Sequence, residues 1–195
     1  MYIYMKFQHN QNIEITKESY NYMMEYKKQL LFNITNLLND LHIRFVISHG
    51  NLIEYERKSP IHRDDDLDIR MNVQDLSKWE NFCNKNNREL TKYNLVFDSR
   101  FNKIKSQKIN GIQCWLIKFN NKRNIKKFNM DIHCDLVSSV VKTDFWMNYN
   151  IDYSNLRLIS YLDVNTYAPN INHTKYILTK QYGKNYLIPN HKSAF

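Results

Sequence analysis

The densest group of reactive side chains is Arg63-Asp64-Asp65-Asp66-Leu67-Asp68-Ile69, with four carboxylates in five residues. Carboxylates packed so closely repel one another unless a cation or solvent relieves them. If Leu67 to Ile69 is a strand, Asp66 and Asp68 lie on one face, about 7 Å apart at Cα. Side chains so placed can converge on hard divalent ions, which take oxygen ligands. Two such ions ~3.5–4 Å apart form the clamp used for in-line displacement at phosphorus. A calcium loop of the EF-hand kind is excluded, because its sixth-position Gly and closing Glu are missing. The bland reading of the run is a solvated acidic turn, and the residues around it decide between the two.

Upstream, Ile43 to Ser48 reads as a strand that breaks at His49-Gly50, and Asn51 to Arg57 reads as a short helix before Pro60. A glycine at a strand-to-helix turn lets backbone approach a phosphate, and the helix start offers N–H groups to it. Downstream, Phe128 to Val137 reads as another strand. Asp131, His133 and Asp135 share one of its faces, and Met130, Ile132, Cys134 and Leu136 share the other. Asp131 sits between apolar neighbours, as a carboxylate aimed from a buried strand into a cleft would. A hydrophobic strand, a Gly turn, a short helix and Asp-x-Asp on the next strand form the arrangement of the nucleotidyltransferase fold.

The remaining elements must position these groups. Thr16 reads as the N-cap of a long helix whose apolar face is Tyr20, Met23, Met24, Leu30, Leu31, Ile34, Leu37, Leu38 and Leu41. Asp75 reads as the cap of a helix running to about Asn84, with Leu76, Trp79, Phe82 and Cys83 inside. Tyr93 to Phe119 is strand-like, with a hairpin at Asn110-Gly111. Beyond Val137 the pattern is irregular until a late helix near His173 to Tyr182. Helices flanking a mixed sheet make this α/β or α+β, read as one domain over residues 1–195.

Several of these motifs resemble the LicD/fukutin family. Gly50-Asn-Leu-Ile-Glu-Tyr-Glu-Arg57, followed by Ile61-His-Arg-Asp-Asp-Asp-Leu-Asp-Ile69, is similar to the family signature, with Leu52, Arg57, Asp64, Asp65, Asp66, Asp68 and Ile69 matching. Met130-Asp131-Ile132 falls where the family has a hydrophobic-Asp-hydrophobic strand. Tyr182-Gly183 and Pro189 resemble its closing motif, and Val164 to Pro169 the segment before it. Asn51 stands in place of Thr or Ser, Glu54 in place of a glycine, and His62-Arg63 in place of Pro-Trp. The resemblance implies transfer of a phospho-alcohol, such as phosphocholine or ribitol phosphate, from a CDP-activated donor to a glycan hydroxyl. It implies Mg²⁺ or Mn²⁺ held by Asp66, Asp68 and Asp131, with Asp131 also helping to take the acceptor's proton. It implies phosphate contacts from Gly50 and Asn51, through backbone N–H and side-chain amide. Arg57 and Arg63 would neutralise charge on the bridging oxygen. His49 and His62 lie within sequence reach of the site and receive no role.

Composition bounds these readings. The chain has 195 residues, enough to bury a core without disulfides or a structural metal. Asn makes up roughly one residue in seven, the usage of an A/T-rich coding sequence. Three cysteines without a CxxC argue against a disulfide framework or a zinc ribbon. No apolar run approaches the ~20 residues of a transmembrane helix, and no signal peptide is visible, so a cytoplasmic location is expected. The net charge of +9 favours anionic partners without choosing among them. Two competing readings follow from it. An NTP-using nucleotidyltransferase acting on RNA or protein needs the same carboxylates and glycine turn, and the basic stretch Lys118 to Lys127 would suit its acceptor. A non-catalytic nucleic-acid-binding module would explain the charge and the many tyrosines. That module leaves Asp64 to Asp68 unexplained, so no stable nucleic-acid partner is expected.

Overall fold

The computed structural model describes residues 17–59, 66–84, 88–97, 107–109, 112–119, 129–135 and 151–188. The long helix α1 spans Lys17–Asp40. Tyr26, Leu30, Leu31, Ile34, Leu37 and Leu38 bury its apolar face. It ends where His42 adopts a left-handed φ of 52°. There the His42 N–H donates to the Asn39 carbonyl and the Ile43 N–H to the Leu38 carbonyl, a Schellman turn closed without glycine. The chain then enters strand β1 (Phe45–Ile47), helix α2 (His49–Arg57) and strand β2 (Asp66–Asn72). A 3₁₀ turn (Val73–Asp75) leads into α3 (Leu76–Asn84), where the Trp79 and Phe82 rings stack inside. The short helix α4 (Arg88–Lys92) follows. The strands β3 (Leu95–Phe97), β4 (Gln107–Ile109), β5 (Ile112–Phe119) and β6 (Asn129–Asp135) complete the larger sheet.

That sheet is mixed and runs β1-β2-β6-β5-β3, with β4 paired on β5. Only the β2–β6 pairing is parallel among those described. The β4–β5 hairpin pairs Ile109 with Ile112, as the Asn110-Gly111 signal predicts; those two residues themselves lie outside the described set. Alternation on β2 sends Leu67, Ile69 and Met71 into the core with Phe45 and Ile47. The fold is therefore mixed α+β, with helices set against a mixed sheet.

One expectation is corrected. The segment before the late helix is not irregular: β7 (Leu156–Tyr161) and β8 (Val164–Pro169) form an antiparallel hairpin. Its two-residue turn is Leu162-Asp163, both with positive φ (52° and 59°). This is the backbone of a type I′ turn, usually built from Asn-Gly or Asp-Gly, so the residue types conceal it. The Lys28 ammonium on α1 contacts the Asp163 carboxylate at 2.9 Å, and the Phe45 ring meets Tyr167 edge-on. The final helix α5 (Ile171–Tyr182) begins two residues earlier than its sequence pattern suggests. The Asn170 side chain caps the His173 N–H, and Gly183 closes the far end at φ 85°.

Asp75 also differs from its predicted role as a helix cap. Its buried carboxylate accepts from the Arg44 backbone N–H and guanidinium and from the Lys78 ammonium. Burial raises its pKa, but these three donors together hold it below the usual carboxylate value.

Candidate active site

The two acidic strands lie side by side. In the parallel β2–β6 pair, Asp66 aligns with Asn129, Asp68 with Asp131, Arg70 with His133 and Asn72 with Asp135. Partners in register occupy the same sheet face, about 4.8 Å apart. One row of that face thus carries Asp66, Asp68 and Arg70 on β2, with Asp131 and His133 on β6. Periodicity along β6 alone does not separate Asp131 from Asp135. Register does: Asp131 is the partner of Asp68, and Asp135 lies four residues further, about 13 Å along the strand. A row of carboxylates is a donor set suited to a hard divalent cation. Among the described side chains no group of three or more His, Cys, Asp or Glu residues could hold a metal ion. The side chains of Asp66 and Asp131 lie outside that described set.

Helix α2 borders this row. Its first turn holds His49, Gly50 and Asn51, beginning directly after the Ser48 N–H bonds the Asp68 carbonyl. The left-handed residue at this turn is His49 (φ 44°), with Gly50 inside the helix. The expected glycine turn is therefore made one residue early by a histidine. That backbone sets the His49 ring beside the carboxylate: Nδ1 is 4.0 Å from Asp68 Oδ2 and 3.0 Å from Ser48 Oγ. Sequence reasoning gave His49 no role, because only the unusual φ brings it here. Arg70 was likewise missed. It is 2% exposed, and its register position opposite His133 lies on the same sheet face as Asp68.

Asn51 corrects another expectation. Its side chain is wholly buried, Oδ1 accepting from the Asp68 N–H at 2.5 Å and Nδ2 donating to the Tyr161 hydroxyl at 3.3 Å. The amide binds strand to helix and helix to hairpin, so it is not presented to a phosphate. Arg57 stands seven residues beyond Gly50, about 10 Å along the helix axis. It donates to the carbonyls of Tyr186 and Ile188 and so anchors the segment after α5. Burial lowers its pKa, with Tyr182 opposing. Arg63, Asp64, Asp65 and His62 lie outside the described residues.

Glu54, at the signature's glycine position, belongs to a buried polar chain. Its carboxylate accepts from the Lys27 ammonium at 3.4 Å and from the Tyr161 hydroxyl. Lys27, Glu54, Tyr161 and Asn51 thus run unbroken from α1 to the backbone of Asp68. No protein-family model matches the chain, and no curated protein matches it. Among the described residues, no helix is long and apolar enough to cross a membrane.

Proposed function

We propose that the chain is a metal-dependent transferase of the nucleotidyltransferase fold, similar to the LicD/fukutin enzymes. It would move a phospho-alcohol, such as phosphocholine or ribitol phosphate, from a CDP-activated donor to a glycan hydroxyl. The observation that supports this best is the register of Asp68 with Asp131, with Asp66 two residues earlier on the same face. Mg²⁺ or Mn²⁺, held by Asp66, Asp68 and Asp131, would supply charge neutralisation on the donor's diphosphate when bound.

The protein groups then have definable tasks. The first turn of α2, with the backbone of Gly50, is suited to phosphate oxygens through its helix-start N–H groups. Asp131 takes the proton of the attacking hydroxyl. The acceptor oxygen bonds to phosphorus as the bond from that phosphorus to the bridging oxygen breaks, and CMP leaves with the electron pair. Arg63 would meet charge developing on that bridging oxygen; Arg57, engaged elsewhere, is released from that role.

A nucleotide-release screen with CDP-choline, CDP-ribitol, CDP-glycerol, GDP-mannose and the four NTPs, with and without Mg²⁺, tests the reading. Metal-dependent CMP release from a CDP compound supports it. Pyrophosphate release from an NTP replaces it with nucleotidyl transfer.

A further inference from the structure

A cleft of about 480 Å³ opens between the C-terminal half of α2, the β7 end of the hairpin and Met24 of α1. It falls in the range of roughly 300–1,000 Å³ usual for small-molecule sites. The carboxylate row does not line it; Glu54, Tyr55, Glu56, Lys58, Arg157 and Tyr161 do. We infer that this cleft binds a neutral, polyhydroxylated ring, the sugar of the acceptor. The assignment of that sugar as acceptor rests on the function proposed above; the binding chemistry does not.

The lining carries two carboxylates, Glu54 and Glu56, and two cations, Arg157 and Lys58. Glu54 is matched by buried Lys27, and Glu56 by Arg157 at 2.6 Å. A phosphate entering would meet two carboxylates, and a quaternary ammonium would meet Arg157 and Lys58. A neutral ligand meets neither penalty. Its hydroxyls donate to carboxylates and accept from a guanidinium, and those groups are preset. Arg157 is fixed by bonds to the Pro169 carbonyl, the Thr174 hydroxyl and Glu56, and it lies 5.9 Å over the Tyr55 ring. Pre-organised polar groups lose little freedom on binding. With one face of Tyr55 covered by Arg157, stacking of a nucleobase between two rings is not offered, while sugar C–H groups can pack on Tyr161, Leu162 and Met24. Asn51, which accepts from the Asp68 N–H and donates to the Tyr161 hydroxyl, links Tyr161 of the cleft to the backbone of Asp68.

The test is saturation-transfer NMR on the full chain, free of metal and nucleotide, with glucose, galactose, N-acetylglucosamine and maltose. Cytidine, choline and inorganic phosphate serve as competitors. Ser160 lines the cleft from an exposed strand position, so Ser160→Trp fills it while keeping the fold, which a melting curve checks. The expected result is transfer to at least one sugar, lost in Ser160→Trp and undisturbed by the three competitors. No transfer to any sugar, transfer that persists in a folded Ser160→Trp, or displacement by a competitor overturns the inference. Sugar binding in the cleft without group transfer from any CDP donor overturns the proposed function alone. Transfer with an acceptor KM unchanged in Ser160→Trp overturns the cleft alone.

Discussion

Asp68 and Asp131 are Cα partners across the parallel pair β2–β6, whereas Asp135 pairs with Asn72 at the far end of the same strands. The relationship distinguishes two carboxylates that share a strand face. Asp131→Ala is expected to lower kcat by about 10² or more, the loss typical of removing a general base. Asp135→Ala should be far milder. Steady-state rates at saturating donor check this, and equal losses would contradict the register argument.

Asp66→Asn and Asp68→Asn should each remove activity while the protein stays folded. Turnover retained in either variant would remove these residues from the metal set. Calorimetry beside the activity assay separates a chemical loss from an unfolded protein.

The Lys27–Glu54 pair is buried on both sides, with side-chain exposures of 1% and 3%. Removing one partner leaves the other charge stranded, which costs about 3–5 kcal/mol. Glu54→Gln and Lys27→Met should therefore each destabilise strongly. The double variant should recover much of the loss, measured as urea midpoints in a double-mutant cycle. Additive losses would show that the pair is not coupled.

Asp75 supplies a pH-dependent contribution. Its folded pKa is depressed, so its stabilisation is present above the unfolded carboxylate value of ~3.9 and is lost as pH falls through the folded pKa. Asp75→Asn should cost about 1–3 kcal/mol near neutral pH, since it removes charge-assisted bonds to Arg44 and Lys78. The deficit relative to wild type should shrink as pH drops below ~4. Denaturant unfolding from neutral pH to pH 2 measures it; a pH-independent deficit would contradict the assignment.

Local patterns in the sequence revealed much of this architecture. The apolar stripe of α1, the strand-helix-strand run from Ile43 to Met71 and the strand around Asp131 each follow from spacing within a few residues. What stayed hidden depends on distant partners or unusual backbone. Lys27 reads as one polar residue on an amphipathic helix until Glu54 and Tyr161 close over it. Leu162-Asp163 makes a hairpin turn without the glycine that would announce it. His49 reaches Asp68 because it, and not Gly50, takes the left-handed conformation. Asn51 has the residue type of a phosphate ligand, but burial commits its amide to Asp68 and Tyr161.

In the proposed reaction a phospho-alcohol leaves a CDP donor and joins a glycan hydroxyl. Phosphorus NMR of the protein with CDP-choline, CDP-ribitol or CDP-glycerol, Mg²⁺ and a glycan acceptor observes that event directly. The predicted result is a CMP resonance growing in step with one new phosphodiester on the glycan, abolished by chelating the metal. Pyrophosphate from an NTP with the nucleotide attached to the acceptor, or no new phosphodiester from any CDP donor, would contradict it.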